Sequence, residues 1–133
     1  ARAEGALQWT ADYVRERRAF GKPVAAFQNT RFVLAGLWAE LQAGRAYCDA
    51  LLAQHLAGEL DAASASAGKL WHSEMLGRVV DACVQLHGGY GYMAEYPIAR
   101  AYVDARIERI YGGTSEIMKE VIARRVLDEV VPR

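Results

Sequence analysis

Apolar side chains recur along this chain at helical spacing, and they divide it into five segments. The first segment runs from the start of the chain to about Arg18 and stops before the sequence Phe-Gly-Lys-Pro, where glycine and proline block continuation. The second segment ends near Gly58 and repeats apolar positions every seven residues, as expected of a long bundle helix. The members of this repeat are Phe27, Leu34, Leu37, Leu41, Cys48, Leu51 and His55.

The remaining three segments are bounded by cap and turn residues. Asp61 suits the N-cap of a third helix, whose first half is so rich in Ala, Ser and Gly that a neighbouring helix can pack very close. The pair Gly88–Gly89 ends this helix. Pro97 suits the first turn of a fourth helix that reaches about Ile110, and a Gly-Gly-Thr-Ser turn leads into a last helix to about Val130.

No segment keeps strand periodicity for long, and no hairpin dipeptide separates two such runs. The sequence therefore predicts an all-α, up-down helical bundle of five helices that forms one domain over residues 1–133. The first helix starts without an initiator Met or a capping signal. We therefore expect a fragment of a longer protein, with a trimmed terminus as the alternative explanation.

Composition narrows the function classes. With 53% hydrophobic and 24% charged residues the chain is typical of a globular domain. The 16 basic and 16 acidic side chains cancel, and this balance argues against nucleic-acid binding, which needs a surplus of Lys and Arg. Cys48 and Cys83 lie far apart and are expected to be buried thiols of an intracellular protein. No signal peptide or membrane span is visible.

Glycines and polar residues concentrate at three helix ends, where backbone N–H groups can bind an anion. At the first of these ends, Arg17 can hold a phosphate through two parallel hydrogen bonds or merely stabilise the last carbonyls of its helix. Gln28 follows eleven residues later. At the second end, Gln85 and the Gly88–Gly89 pair admit a flat or anionic group, although a simple glycine C-cap has the same composition.

The third helix end is the stretch Tyr111–Glu120, YGGTSEIMKE. Its two glycines permit positive φ or the close approach of a ligand. Thr114 and Ser115 are good N-cap residues, and Glu116 suits the positive end of the following helix. A plain turn between two helices accounts for the same residues, so both interpretations remain open.

Common catalytic motifs are missing from the sequence. It contains no nucleophile elbow, no His-Glu-x-x-His, no Walker loop and no Cys-x-x-Cys, so no metal site is expected. His55 falls on an apolar helical face and is expected in the core or an interface, and His72 is expected on the polar surface. Only His87, beside the glycines, is well placed for a site. The residues alone therefore predict helix ends suited to an elongated phosphate-bearing ligand, without a reaction.

Two stretches and the ordered gap between them resemble the C-terminal domain of flavin-dependent acyl-CoA dehydrogenases. The stretches are RRAFGKPVAAFQ (17–28) and QLHGGYGYMAEYPIARAYVDARIERIYGGTSEIMKEVIAR (85–124). Each motif is weak alone, but their order and spacing are specific, and the resemblance covers nearly the whole chain. The last stretch is most similar to the long-chain acyl-CoA dehydrogenase branch.

The resemblance implies an enzyme that α,β-dehydrogenates acyl-CoA thioesters, with fatty acyl-CoA as the expected substrate. A base removes a proton from the carbon next to the thioester, a hydride passes from the next carbon to FAD, and electrons leave to an electron-transferring flavoprotein. The resemblance also implies a homodimer or homotetramer in which FAD is shared between subunits. We expect a location in the bacterial cytoplasm, with the mitochondrial matrix as the alternative.

The resemblance also implies a role for individual residues. Arg17 matches the arginine that contacts the FAD diphosphate, and Gln28 matches its nearby partner. Segment 85–89 matches the part that reaches the FAD of the neighbouring subunit. The implied cofactor-binding residues are Arg17, Gln28, Gln85, Leu86, His87, Gly88, Gly89, Thr114, Ser115 and Glu116, and the implied substrate-binding residues are Gly112 and Gly113.

One position departs from the commonest family pattern. Many members carry the catalytic glutamate directly after the tyrosine of this motif, where this chain has Gly112, which cannot take a proton. Members similar to the long-chain and isovaleryl branches bring the glutamate from an earlier helix, which by alignment lies before Ala1. Glu4 is the nearest acid, but its spacing is wrong. We therefore expect no catalytic residue in this chain, no activity and no tight FAD binding by the chain alone, and further helical and β domains upstream.

Two alternatives compete with this interpretation. One is a related acyl-CoA oxidase or a short- or branched-chain acyl-CoA dehydrogenase. The other is a non-catalytic helical assembly module that has lost its base and its flavin.

Overall fold

Within the described residues five α-helices form the domain, as the hydrophobic pattern predicts. The computed structural model describes residues 1–130. The α-helices are α1 (Arg2–Glu16), α2 (Gln28–Ala57), α3 (Ala62–His87), α4 (Pro97–Arg106) and α5 (Ser115–Val130). Short 3-10 turns cover Val24–Ala26, Gly88–Tyr92 and Ile107–Arg109. The predicted all-α helical bundle is confirmed.

The predicted cap residues start and end the helices. Gly58 closes α2 with a φ of 75°, a left-handed conformation that glycine adopts without strain. The Asp61 carboxylate accepts hydrogen bonds from the backbone N–H groups of Ala63 and Ser64 at 2.8 and 2.9 Å and so caps α3. Pro97 occupies the first turn of α4, where its missing N–H costs nothing.

Helix α3 is the centre of the bundle, because each of the other four α-helices packs against it. Its apolar side chains supply much of the core, and burial of such side chains is the main stabilising term of a domain this size. Buried hydrophobic residues are Ala3, Ala6, Val14, Leu37, Leu41, Met75, Leu76, Val79, Val80, Cys83, Ile98 and Ala105. Loops and helix ends are therefore positioned by how they attach to α3.

The crossing of α2 and α3 is very close, as the small residues of α3 predict. A Cβ built on Gly68 would lie 2.3 Å from Leu51 Cδ1. His72 is half-buried at this crossing, and its ring nitrogens lie 2.7 Å from the Gly68 carbonyl oxygen and 2.9 Å from that of Gly44. The expectation that His72 lies on the polar surface is therefore wrong. The His72 imidazole lies between α2 and α3 and is part of the contact between these helices.

A short hairpin lies between α1 and α2, although the sequence predicts no strands. Arg18–Ala19 (β1) pairs antiparallel with Lys22–Pro23 (β2), with Ala19 opposite Lys22. The two loop residues, Phe20 and Gly21, have φ values of 50° and 81°. Positive φ at both central residues is the requirement of a tight type I′ hairpin. Phe-Gly is an uncommon pair for this turn, so the sequence does not indicate a hairpin here.

Several smaller expectations differ from the structure. Helix α1 ends at Glu16 rather than about Arg18, because the first strand of the hairpin begins at Arg18. Helix α4 ends at Arg106, and a 3-10 turn, not an α-helix, continues to Arg109. Cys83 is buried, as predicted, and burial raises the pKa of its thiol. Cys48 is exposed, so its predicted burial is wrong.

Two further expectations concern the exposure of His55 and the presence of a membrane span. His55, predicted in the core or an interface, is exposed on α2, so it is not a core residue. Among residues 1–130, no helix combines the length and the apolar character needed to cross a lipid bilayer.

Candidate functional site

The end of α1 and the end of α3 form the walls of one cavity of about 540 Å³. These walls come from parts of the chain nearly seventy residues apart, and they include six of the predicted cofactor-binding residues, namely Arg17, Gln85, Leu86, His87, Gly88 and Gly89. The remaining lining residues are Tyr13, Val24, Tyr90 and Met93. The cavity is therefore a mixed polar and aromatic site with a cation at its edge.

Arg17 is the cation of this cavity. It is the C-cap residue of α1 and is exposed, and its guanidinium carbon lies 5.1 Å from the centre of the Tyr90 ring. A guanidinium over an aromatic face gains a modest attraction and loses some rotamer freedom. Within the described residues Arg17 has no carboxylate partner at salt-bridge distance. Its hydrogen-bond donors therefore remain available to an anionic group.

The glycine pair after α3 lines the same cavity. Gly88 is the C-cap of α3 and has a φ of 61° with a ψ of −140°, a conformation that is open to glycine and strained for other residues. Gly88 therefore serves as a simple C-cap of α3 and also borders the cavity, so the two predicted interpretations of the pair do not exclude each other. The exposed backbone here permits a flat or anionic group to approach closely.

His87 belongs to the framework of the cavity. It is only 4% exposed, its ring stacks on Tyr13 with centroids 4.2 Å apart, and its Nδ1 lies 2.8 Å from the Cys83 carbonyl oxygen. The Tyr13 hydroxyl donates to the His87 carbonyl oxygen at 3.1 Å. Burial lowers the pKa of His87, so its imidazole stays neutral at neutral pH. His87 therefore shapes the cavity and holds α1 against α3.

Gln28 lies outside this cavity. It is the first residue of α2 and is exposed, and the structure does not bring it into the wall formed by Arg17 and the glycine pair. The hairpin and the turn Val24–Ala26 separate Gln28 from Arg17 in sequence. Its predicted role beside Arg17 remains a prediction.

The remaining predicted residues form a second site at the start of α5. Gly112 and Gly113 have φ values of 62° and 99°, so both are in the left-handed region that their residue type permits. The Thr114 hydroxyl oxygen accepts a hydrogen bond from the Ile117 backbone N–H at 3.3 Å and caps α5, as predicted. A Cβ on Gly112 would meet no atom within 4 Å, so this side of the turn is open.

The polar side chains of this turn differ in what they face. Glu116 is exposed, and hydrogen bonds from its own backbone N–H and from the Thr114 hydroxyl lower its pKa. Ser115 is only 6% exposed, and its hydroxyl donates to Glu74 Oε1 of α3 at 2.8 Å. The Ser115 proton is therefore committed inside the protein, whereas Glu116 faces outward.

The two sites are far apart on the domain. Glu74, which contacts the α5 turn, and His87, which borders the cavity, are separated by 13 residues of α3. At a rise of about 1.5 Å per residue this separation is roughly 20 Å. Apart from Gln28, the predicted site residues thus form two groups at different levels of the central helix.

Sequence reasoning did not find every residue of these two sites. Tyr13 and Tyr90 border the cavity, and Tyr13 could have been found because it lies one helical turn before Arg17. Lys69, Glu74 and Arg109 contact the α5 turn or its flank. No local pattern distinguishes Lys69 and Glu74 from the other charged residues of α3, or Arg109 from the other charged residues that follow α4. Among the described residues, no group of three or more His, Cys, Asp or Glu side chains could hold a metal ion.

Comparison with known proteins shows which family the domain represents. The family model for the acyl-CoA dehydrogenase C-terminal domain matches residues 1–127. The chain therefore belongs to the acyl-CoA dehydrogenase family, as the resemblance of its motifs indicates. The family consists of flavin-dependent oxidoreductases, and the match covers the C-terminal helical domain.

Individual relatives agree with this assignment. The chain is 54% identical over 120 residues to the mitochondrial long-chain specific acyl-CoA dehydrogenase of Rattus norvegicus, over 90% of this chain and 28% of that protein. The crystal structure of an acyl-CoA dehydrogenase from Geobacillus kaustophilus matches with a TM-score of 0.91 and 45% identity, over 94% of this chain and 33% of that one. A structure of the electron transferring flavoprotein of Acidaminococcus fermentans contains a chain with a TM-score of 0.90 and 32% identity, over 95% of this chain and 33% of that one. The chain thus spans about a third of the length of the relatives it matches.

Proposed function

We propose that this chain is the FAD- and substrate-facing domain of an enzyme that dehydrogenates fatty acyl-CoA between its α and β carbons. The observation that carries the proposal is the meeting of Arg17 with Gln85–Gly89 in one cavity. These are the residues that the family resemblance assigns to the cofactor. FAD, when bound, supplies the acceptor for the hydride that leaves the β carbon. The oxidase, short-chain and assembly-module alternatives are not favoured, since the high-identity relative is a long-chain dehydrogenase.

The residues of the cavity fit the diphosphate part of such a cofactor. Arg17 has free donors in a planar fork, which matches two phosphate oxygens better than a point charge does. Gly88 brings exposed backbone to the same cavity without a side chain in the way. Gln28 lies outside the cavity, at the start of α2, and is proposed as a further cofactor contact on the family resemblance alone. These residues bind and orient the cofactor, and none of them moves a proton.

The α5 turn is the proposed place of the substrate thioester. Gly112 is exposed and has open space on its Cβ side, so a thioester can lie against the backbone there. Gly112 also occupies the position at which many family members carry their base, so the proton acceptor is proposed to come from outside residues 1–133. Thr114, Ser115 and Glu116 are proposed to contact FAD from this end of the domain.

The separation of the two sites supports a shared cofactor. Both groups of residues match FAD contacts of the family, yet they lie roughly 20 Å apart along α3. We therefore propose a homodimer or homotetramer in which segment 85–89 reaches the cofactor of a neighbouring subunit. Electrons are proposed to pass to an electron-transferring flavoprotein. The proposed location is the bacterial cytoplasm, with the mitochondrial matrix as the alternative.

The test uses Arg17→Lys in the full-length protein that carries this domain. Lysine keeps the charge but loses one of two parallel hydrogen bonds to a diphosphate, and a hydrogen bond to a charged group contributes about 1.5–3 kcal/mol. Since about 1.4 kcal/mol corresponds to tenfold, FAD binding should weaken by about one to two powers of ten. Flavin retention during dialysis measures the change, and circular dichroism checks the fold.

Arg18→Lys is the matched control. Arg18 is also exposed, and its Nη2 donates to the Gly21 carbonyl oxygen at 3.0 Å within the hairpin rather than facing the cavity. The Arg18→Lys variant should therefore retain its flavin during dialysis. Equal flavin loss in both variants, or full retention in Arg17→Lys, would contradict the assignment of Arg17 to the diphosphate.

A further inference from the structure

Side chains of α3 hold the α5 turn from both of its ends. The Glu74 carboxylate accepts a hydrogen bond from Ser115 Oγ at 2.8 Å through one oxygen and from Arg109 Nη1 at 3.0 Å through the other. Lys69, five residues earlier on α3, donates through Nζ to the Gly113 carbonyl oxygen. One helix thus contacts the residue before the loop, the middle of the loop and the first residue after it.

Apart from α3, short-range contacts act on the loop: the Tyr111 N–H donates to the Ile107 carbonyl oxygen at 3.1 Å, and Met118 of α5 covers the Cβ side of Gly113. The two glycines of the loop have the largest backbone freedom of any residue type, and both are in left-handed conformations. Nothing lies within 4 Å of a Cβ built on Gly112, so packing does not hold this residue. Helix α3, in contrast, is the central element of the core. The polar contacts from α3 therefore link the loop directly to the central element of the core.

We propose that Glu74 is a positioning residue, which fixes the turn Gly112–Ser115 against α3 and so sets where the glycine pair meets the substrate thioester. This role rests on the proposed function of the turn. The structural basis is the placement of one carboxylate between Arg109 on one side of the loop and Ser115 on the other. Glu74 touches neither cofactor nor substrate and acts only through the turn.

A carboxylate suits this contact, because it accepts from both donors and carries the charge that pairs with Arg109. Each Glu74 oxygen accepts from a different donor, so both must be acceptors. A glutamine that keeps its oxygen toward Arg109 turns its N–H₂ toward Ser115, whose hydroxyl must then accept instead of donate, and it also loses the charge that pairs with the guanidinium. The Ser115 hydrogen bond, with help from Arg109, lowers the pKa of Glu74, so the carboxylate is present at neutral pH. The Arg109 Nε is buried without a hydrogen-bond partner among the described residues, so this guanidinium depends strongly on Glu74.

The test compares Glu74→Gln with Glu40→Gln in the full-length protein. Glu40 is the matched control, because it also accepts from an arginine of α3: Arg78 Nε donates to it at 2.9 Å. It contacts no residue of the α5 turn, and both carboxylates are about equally accessible, at 31% for Glu74 and 27% for Glu40. Amide hydrogen exchange of segment 110–117 and steady-state kinetics with a long-chain acyl-CoA are measured for each.

For Glu74→Gln we expect exchange in segment 110–117 to rise about tenfold, which corresponds to about 1.4 kcal/mol. The kcat should fall by about tenfold while KM changes little, since small displacements of a reacting group are costly. Glu40→Gln should change neither. A second variant, Ser115→Ala, removes the same contact from the other side and keeps the pair of Glu74 with Arg109. Ser115→Ala should raise exchange of the same segment. If Glu74→Gln does not fold, this variant tests whether the contact between Glu74 and Ser115 fixes the turn.

Three outcomes overturn the role of Glu74. These are unchanged exchange in both Glu74→Gln and Ser115→Ala, equal effects of Glu74→Gln and Glu40→Gln, or faster exchange with an unchanged kcat. A wild-type protein that binds no flavin and does not dehydrogenate acyl-CoA would instead refute the proposed function. In that case the exchange measurement still decides whether Glu74 fixes the turn.

Discussion

Gly91→Ala should destabilise the domain through a single steric contact. Gly91 is buried in the 3-10 turn that follows α3, and a Cβ there would lie 2.5 Å from the Val84 carbonyl oxygen and 3.0 Å from His87 Cβ. The Val84 oxygen belongs to the backbone of α3 and cannot rotate away as a side chain can. Overpacking of this kind costs about 1–3 kcal/mol.

Gly89→Ala is a matched control two residues earlier in the same turn. Gly89 is exposed, its φ is not positive, and a Cβ there would meet nothing within 4 Å. Both variants reduce the entropy of the unfolded chain alike, which stabilises by about 0.4–1 kcal/mol. This contribution cancels when the two are compared, so their free energies of unfolding should differ by about 1–3 kcal/mol, the cost of the clash alone.

Urea unfolding of the 133-residue chain, followed by far-ultraviolet circular dichroism, measures this difference. Gly91→Ala should unfold at a lower urea concentration than the wild type, and Gly89→Ala at the same or a slightly higher one. Equal midpoints for the two variants would refute the reasoning, because they would show that the turn relaxes away from the Val84 carbonyl without cost.

Two further predictions concern pH and assembly. Burial lowers the pKa of His87 below 6.5, so the unfolded chain binds a proton more readily and the free energy of unfolding should fall as the pH drops from about 7 to about 5. His87→Asn should flatten this dependence in urea titrations and His55→Asn, at an exposed position, should not; equal slopes would contradict the assignment. The chain should also sediment as a dimer or tetramer at tens of micromolar, as an order of magnitude, because large apolar side chains such as Phe32, Trp38 and Leu56 are exposed. A monomer would count against this.

Much of the helical architecture follows from local sequence. The capping carboxylate of Asp61, the left-handed Gly58 and the first-turn Pro97 act within a few residues of themselves, so their effect is visible without a tertiary structure. The hairpin is not visible to such local rules, because its turn is Phe20-Gly21 and phenylalanine at positive φ is uncommon. A local rule fails when the chain adopts a conformation that its residues do not favour.

Burial was harder to predict than helix position. The seven-residue repeat of α2 gave Leu37 and Leu41 correctly, but it also placed Cys48 and His55 on the inner face, and both are exposed. Helix α2 is 30 residues long, and α3 packs against Gly44 and Leu51 in its second half but leaves Cys48 and His55 exposed. A hydrophobic pattern identifies one face of a helix, whereas the length over which that face is covered depends on its neighbours.

The sequence by itself determined the all-α class, the helix ends and the residues whose motifs match the acyl-CoA dehydrogenase family, because capping and periodicity are local. Only the tertiary structure decided that Arg17 and Gln85–Gly89 share one cavity, that His87 is buried in its wall, and that Glu74 holds the turn before α5. These relations join residues far apart in the chain. They depend on how each helix packs against α3, and side-chain packing between distant segments leaves no periodic trace in the sequence.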